Sequence, residues 1–230
     1  MAIAHDAVTR FPTGTTSDTT TGDRTFTHTP TGTPKGVVVI VCGTGNASLV
    51  TGVLYGNIAM TLIQTADDTT EAGRVQIYTL TETVVPTGAQ TVTLVGCIAA
   101  AKYATCCTVT TATTGSKVNA SNAVNTTVST TPLVNVTTTA ATCGYSGFHH
   151  GLAAPTTAGT GNTLLFSMDY GALSSQTHRR TANAEASGTI AHQTAVIASD
   201  DWCGAAVNLE EYTIPPTILI AEVNMARERT

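Results

Sequence analysis

The chain has 230 residues; about one residue in five is threonine, and Asp, Glu, Lys and Arg together make up only 11%. Soluble proteins usually carry charge on about 25% of their residues, so hydroxyl groups take the place of charge here. The modest net charge of −5, with no basic stripe, argues against nucleic-acid binding. No apolar run reaches the ~18 residues of a membrane-spanning helix, and no secretory signal is visible.

Threonine also indicates the fold class. Its β-branched side chain favours extended backbone, with the methyl group packed on a neighbour and the hydroxyl facing water. The composition therefore predicts a β-sheet protein with a neutral, hydroxyl-covered exterior. Virion shells, adhesins and extracellular scaffolds have such compositions.

The first third of the chain reads as strands and turns. Residues 1–24 predict one N-terminal strand, over 2–8, followed by an extended loop rich in Gly, Pro and Asp. Residues 37–42 form a continuous apolar run bounded by glycines, which indicates a central strand covered on both faces. Gly56-Asn57 is a turn pair and predicts a hairpin.

The middle of the chain continues this pattern. Residues 74–80 and 90–95 predict two more strands, and residues 98–105 are compatible with a short helix. Residues 115–140 are low in complexity but keep supplying valine. We therefore interpret them as edge strands and loops rather than as disorder.

The last third predicts four further strands, at residues 143–152, 163–169, 190–199 and 202–209. Residues 171–188 read as a polar loop carrying His178-Arg179-Arg180. Pro215-Pro216 is a break, because proline cannot donate to a sheet ladder. The pattern predicts an all-β fold: a large antiparallel, jelly-roll-like β-sandwich of about 11–12 strands, forming one domain over residues 1–212. Residues 213–230 are a C-terminal extension.

Few side chains suggest chemistry. Adjacent His149 and His150 on one strand would point to opposite faces and could not share a metal. The acidic pairs Asp200-Asp201 and Glu210-Glu211 could supply two carboxylates to a glycosidase, but nothing marks them. A loop with Asp67, Asp68 and Glu71 could bind a cation weakly. We expect no catalytic residue, no metal and no cofactor, and hence no enzyme.

The six cysteines do not form a zinc pattern, because no Cys-x-x-Cys occurs and Cys106 and Cys107 are adjacent. We expect most of them to be reduced, buried, small apolar residues. Disulfides formed after release into oxidising surroundings are the alternative.

The order of these segments resembles a group of β-sandwich proteins encoded by tailed bacteriophages and prophages, usually described as minor structural proteins. The resembling stretches are residues 3–7 (IAHDA), 25–29 (TFTHT), 37–42 (VVVIVC), 53–61 (VLYGNIAMT), 75–80 (VQIYTL), 86–88 (PTG), 182–187 (ANAEAS) and 202–207 (WCGAAV). Asn57 stands where the group has a glycine, and the extension over 215–230 and the number of cysteines also depart from it. The resemblance implies a jelly-roll-like sandwich with a structural or adhesive role on the virion and no catalytic residue.

We therefore predict a non-enzymatic structural protein of a bacteriophage particle, assembled in the host cytoplasm: a capsid decoration (cement) protein or a head or tail fibre component. Its partners would be other copies of itself and other virion proteins, such as major capsid or tail proteins, and neither nucleic acid nor a membrane. The extension would act as an inter-subunit arm through Ile218, Leu219, Ile220 and Val223. The alternative is a carbohydrate- or receptor-binding adhesion module for a host surface glycan. Its site would lie in loops at one end of the sandwich, with candidate residues Trp202, Tyr145, His149, His178 and Arg179.

Overall fold

A computed structural model describes residues 3–45, 47–151, 158–194 and 199–213. Within these ranges the chain forms sixteen strands and no helix. The prediction of an antiparallel all-β sandwich is confirmed, but the strands are more numerous than the 11–12 expected. The strands are β1 (Ala4–Phe11), β2 (Gly22–His28), β3 (Gly36–Thr44), β4 (Gly52–Tyr55), β5 (Ile58–Ala59), β6 (Thr61–Asp68), β7 (Gly73–Leu80), β8 (Gln90–Cys97), β9 (Lys102–Thr110), β10 (Gly115–Ser129), β11 (Leu133–Thr138), β12 (Thr142–His150), β13 (Asn162–Asp169), β14 (Ser174–Arg180), β15 (Gly188–Gln193) and β16 (Asp200–Tyr212).

The strands form four sheets. Sheet I has the order β2-β8-β4-β5, sheet II β1-β9-β3-β7-β6, sheet III β10-β16-β12-β14-β13, and sheet IV pairs β11 with β15. Three apolar clusters separate the sheets in the order I, II, III, IV, so the sandwich is a stack of four layers. Sheets II and III are therefore covered on both faces.

Strand β3 shows why this stacking suits the sequence. Val37, Val39 and Val41 face sheet I, while Val38 and Ile40 face sheet III. All five are fully buried. An unbroken apolar run fits such a strand, because alternate side chains enter two different cores. The prediction of a central, doubly covered strand is confirmed.

Two predicted elements are wrong. Residues 98–105 do not form a helix, because β9 begins at Lys102 and pairs with β1 on one side and β3 on the other. Residues 171–188 are not one loop, because β14 occupies Ser174–Arg180 between β12 and β13. The side chains from Ser174 to His178 are polar but buried. Hydrogen bonds compensate for their burial, as in the 2.8 Å contact between the hydroxyls of Thr177 and Thr105.

The predictions for the N-terminal strand and for residues 115–140 are confirmed, whereas the C-terminal arm is not described by the structure. The N-terminal strand is present as β1, and a loop connects it to β2. Residues 115–140 contain β10, an edge strand of sheet III, and β11 of sheet IV, as expected. The arm residues Ile218, Leu219, Ile220 and Val223 lie outside the described residues. The arm therefore stays a prediction.

Candidate functional site

The five residues expected in glycan-binding loops lie on strands instead. Tyr145 and His149 are on β12, His178 and Arg179 on β14, and Trp202 on β16. Tyr145, His149 and His178 are fully buried and Trp202 is only 3% exposed. Their expected position in exposed loops is therefore wrong.

These residues also face two different interfaces. Tyr145 packs in the core between sheets II and III, where its hydroxyl lies 3.0 Å from Nδ1 of His5. Trp202 and His178 instead contact the ring of Phe148 between sheets III and IV. They do not converge on one surface, and the buried indole of Trp202 cannot stack on a sugar.

Arg179 is the exception, since it is only partly buried. Its Nη1 donates to the backbone carbonyl of Arg180 at 3.1 Å. This contact fixes the guanidinium along its own strand.

The histidines between sheets III and IV act as neutral hydrogen-bonding groups. Nδ1 of His178 donates to the carbonyl of Gln193, and Nε2 of His192 donates to Oδ1 of Asn208 at 2.7 Å. Burial lowers the pKa of His178 to about 4 and that of His192 to about 3. They are uncharged at neutral pH and tie the layers together rather than carry protons.

The acidic pairs of β16 are far apart. Asp200 and Glu210 lie near opposite ends of one strand, roughly 30 Å apart at about 3.3 Å per residue. Glu210 also forms a 3.0 Å ion pair with Lys117. A glycosidase needs its two carboxyl groups about 5–10 Å apart, so these pairs cannot form one such site.

A surface depression of about 190 Å³ is lined by Ile3, Ala140, Ala141, Glu210 and Glu211. Pockets for small molecules usually enclose about 300–1,000 Å³. Among the described residues, no three His, Cys, Asp or Glu side chains are arranged to hold a metal. In the same ranges, no helix is long and apolar enough to cross a membrane.

The outer faces of the stack carry hydroxyl groups. On sheet I, Thr25 pairs with Thr93 and Thr27 with Thr91 across β2 and β8, with the side chains turned outward. On sheet IV, the hydroxyls of Thr137 and Thr189 lie 3.3 Å apart. The predicted neutral, threonine-covered exterior is present on both outer layers.

The edge strands carry most of the exposed large apolar side chains. Val8 lies on β1 and Leu62 on β6, the two edges of sheet II, and Val128 lies on β10, an edge of sheet III. Ile58 lies on β5, an edge of sheet I, and Val84 alone of this group lies in a loop. Their exposed fractions run from 37% for Ile58 to 63% for Val128. These four residues on edge strands, Val8, Ile58, Leu62 and Val128, are here called the edge residues.

The edge residues were not recognised in the sequence, because an exposed valine and a buried valine look alike there. A signal was present in the prediction that residues 115–140 form edge strands, which includes Val128. In comparisons with known proteins, no family model, no curated protein and no solved structure matches this chain.

Proposed function

We propose that this chain is a non-enzymatic structural protein of a bacteriophage particle, acting through contacts between subunits. The observation that carries the proposal is the position of the edge residues. An edge strand presents unpaired N–H and C=O groups, and an exposed apolar side chain beside them gives a second strand something to pack against. Soluble monomers usually protect such edges with charge.

The electrostatics support the same role. Only 11% of the residues are charged, so little repulsion opposes the approach of neighbouring copies. The outer faces instead offer threonine hydroxyls, which can bond to neighbours without the cost of burying charge. This combination suits a capsid decoration protein or a head or tail fibre component, with copies of itself and other virion proteins as partners.

The test is whether the full chain self-associates, which sedimentation velocity measures over a range of protein concentrations. We expect assembly to weaken in Leu62→Lys and in Val128→Lys, which place a charge on an edge strand. Val84→Lys is the matched control, since Val84 is 59% exposed but lies in a loop. A chain that stays monomeric at all concentrations, with or without candidate capsid or tail proteins, would overturn the proposal.

The C-terminal extension is tested separately. Residues 217–224 have the apolar composition of a strand, and an arm of this kind could pair with an edge strand of another subunit. Truncation after Tyr212 should then reduce assembly as the edge substitutions do. Normal assembly of the truncated chain would remove the arm from the proposal and leave the edge residues as its basis.

A further inference from the structure

A group of acidic side chains lies at one end of the interface between sheets II and III. Asp68 ends β6, Glu71 follows in the turn to β7, and Asp200 begins β16. A methyl group placed at Gly151, just after β12, would lie 2.7 Å from Cγ of Glu71 and 2.9 Å from Oδ1 of Asp200. The turn after β6 and the start of β16 therefore meet at Gly151. We call Asp68, Glu71 and Asp200 the acidic end.

Asp68 points into the interface rather than to solvent. It pairs directly with Gly73 across β6 and β7, so both residues project from the same face of sheet II. The ring of His149 from sheet III packs against Gly73 on this face. Asp68 is fully buried, and its Oδ1 accepts hydrogen bonds from the backbone of Thr70 and Glu71.

Three buried polar atoms in this region have no hydrogen-bond partner: Oδ2 of Asp68, Oδ2 of Asp200 and Nε2 of His149. His149 is itself fully buried, and its other ring nitrogen bonds to Oγ of Ser175 at 2.9 Å. His149 packs on Gly73, the residue paired with Asp68, and Asp200 meets Glu71 at Gly151, so the three atoms belong to one region. A buried polar atom without a partner is costly, so three of them in one region indicate a missing partner.

The charge of the acidic end is not balanced by the protein. None of the ion pairs between described residues includes Asp68, Glu71 or Asp200. The missing partner therefore carries positive charge.

We propose that Asp68 and Asp200 bind a hydrated divalent cation, Ca²⁺ in preference to Mg²⁺, at this end of the interface. Carboxylate oxygens are the ligands that these hard cations prefer, and water molecules can complete the 6–8 oxygen ligands that Ca²⁺ takes. Ca²⁺ fits better because it tolerates irregular coordination, whereas Mg²⁺ demands a near-ideal octahedron.

The test is calorimetric titration of the chelator-treated full chain with CaCl₂ and, separately, with MgCl₂. We expect one saturable Ca²⁺ site with a Kd on the order of 10⁻⁴–10⁻³ M, and a melting temperature that rises with Ca²⁺ but not with NaCl of equal ionic strength. Asp200→Asn should weaken binding at least about tenfold, as loss of a charged ligand does. Asp67→Asn is the matched control, because Asp67 faces the other way and pairs with Arg74.

A second readout separates a ligand from a merely structural residue. In the presence of a chelator, the melting temperature of Asp200→Asn should be no lower than that of the unmodified chain, because the change removes an unbalanced charge. In the presence of Ca²⁺, the variant should melt at a lower temperature than the unmodified chain. Asp200 is only partly buried, so its substitution should leave the chain folded. The proposal can therefore be tested at Asp200 even if a substitution of the fully buried Asp68 prevents folding. Absence of saturable binding of either cation, or full Ca²⁺ binding by Asp200→Asn, would overturn the proposal whatever the result of the assembly experiments.

Discussion

The ammonium group of Lys102 lies 3.5 Å from Oδ2 of Asp18, and Lys102 is fully shielded from solvent. The same nitrogen donates to the backbone carbonyls of Thr20 and Ile98, each at 2.9 Å. The backbones of Asp18 and Lys102 exchange two further hydrogen bonds, of 2.9 and 3.0 Å. This pair therefore fastens the loop between β1 and β2 to the start of β9.

Replacement of Lys102 by methionine should lower the free energy of unfolding by about 1–3 kcal/mol, because it leaves the buried carbonyls of Thr20 and Ile98 without their donor. Asp18 keeps one cationic partner, since Nε of Arg24 lies 3.3 Å from its Oδ2. Urea denaturation measures the loss. Lys117→Met, which removes an ion pair whose lysine is partly exposed, should cost far less. Equal losses of unfolding free energy in the two variants would show that the buried contacts of Lys102 stabilise the fold no more than an ordinary surface ion pair does.

Stability should fall steeply in mild acid, because burial lowers the pKa of all six histidines. The pKa is about 3 for His150 and His192 and about 4 for the other four, whereas an unfolded histidine titrates near 6.5. Above the unfolded value neither state is protonated and the histidines contribute no pH dependence. Between about pH 6.5 and 4 only the unfolded state takes up protons, so each histidine lowers the free energy of unfolding by up to about 1.4 kcal/mol per pH unit.

His150 offers a way to test this assignment one residue at a time. Its ring stacks on Phe148, and its Nε2 has no hydrogen-bond partner among the described residues. His150→Phe should leave the free energy of unfolding at neutral pH unchanged. Between about pH 6.5 and 4 it should reduce the dependence of that free energy on pH by the contribution of one histidine, up to about 1.4 kcal/mol per pH unit. Urea midpoints at about pH 7 and pH 5 give this slope. An unchanged slope would show that His150 is protonated in the folded state.

The close approach of sheets II and III at Gly73 predicts a strong size limit. A Cβ atom at Gly73 would lie 1.8 Å from Cδ2 of His149, so Gly73→Ala requires the ring or the sheet to move. Such overpacking typically costs about 1–3 kcal/mol. Gly52→Ala is the control, because a Cβ there meets no atom within 4 Å. Thermal unfolding should therefore separate two alanine substitutions that look equivalent in the sequence.

Local sequence rules predict much of this fold. The apolar run of β3, the Gly56-Asn57 hairpin and the edge position of β10 all follow from side-chain period and turn chemistry, and all are present. The four-layer stack does not follow from such rules, since the order of sheets depends on long-range pairing. The alternation within β3 shows only that both its faces are covered, not which sheets cover them.

The candidate sites were harder to predict for a related reason. His178 and Arg179 fall in the predicted polar loop 171–188 because polar side chains usually mark exposed segments. These residues form strand β14 instead, in which the side chains from Ser174 to His178 are buried. The acidic end joins Asp68 and Asp200, which are far apart in the chain and were considered separately in the sequence; only the packing of sheet III on sheet II brings them together.

All six cysteines have free thiols and are buried, as the sequence indicated. Their burial predicts slow reaction of the folded protein with thiol reagents. Burial raises the pKa of Cys42 to about 12 and that of Cys143 to about 11, so very little reactive thiolate exists at neutral pH. The folded protein should react slowly with a thiol reagent such as Ellman's, and all six thiols should react once the chain unfolds. Cys97, which is 3% exposed, should react first, and Cys97→Ser should remove that phase. Rapid labelling of several thiols in the folded protein would contradict their burial, and fewer than six after unfolding would indicate disulfides.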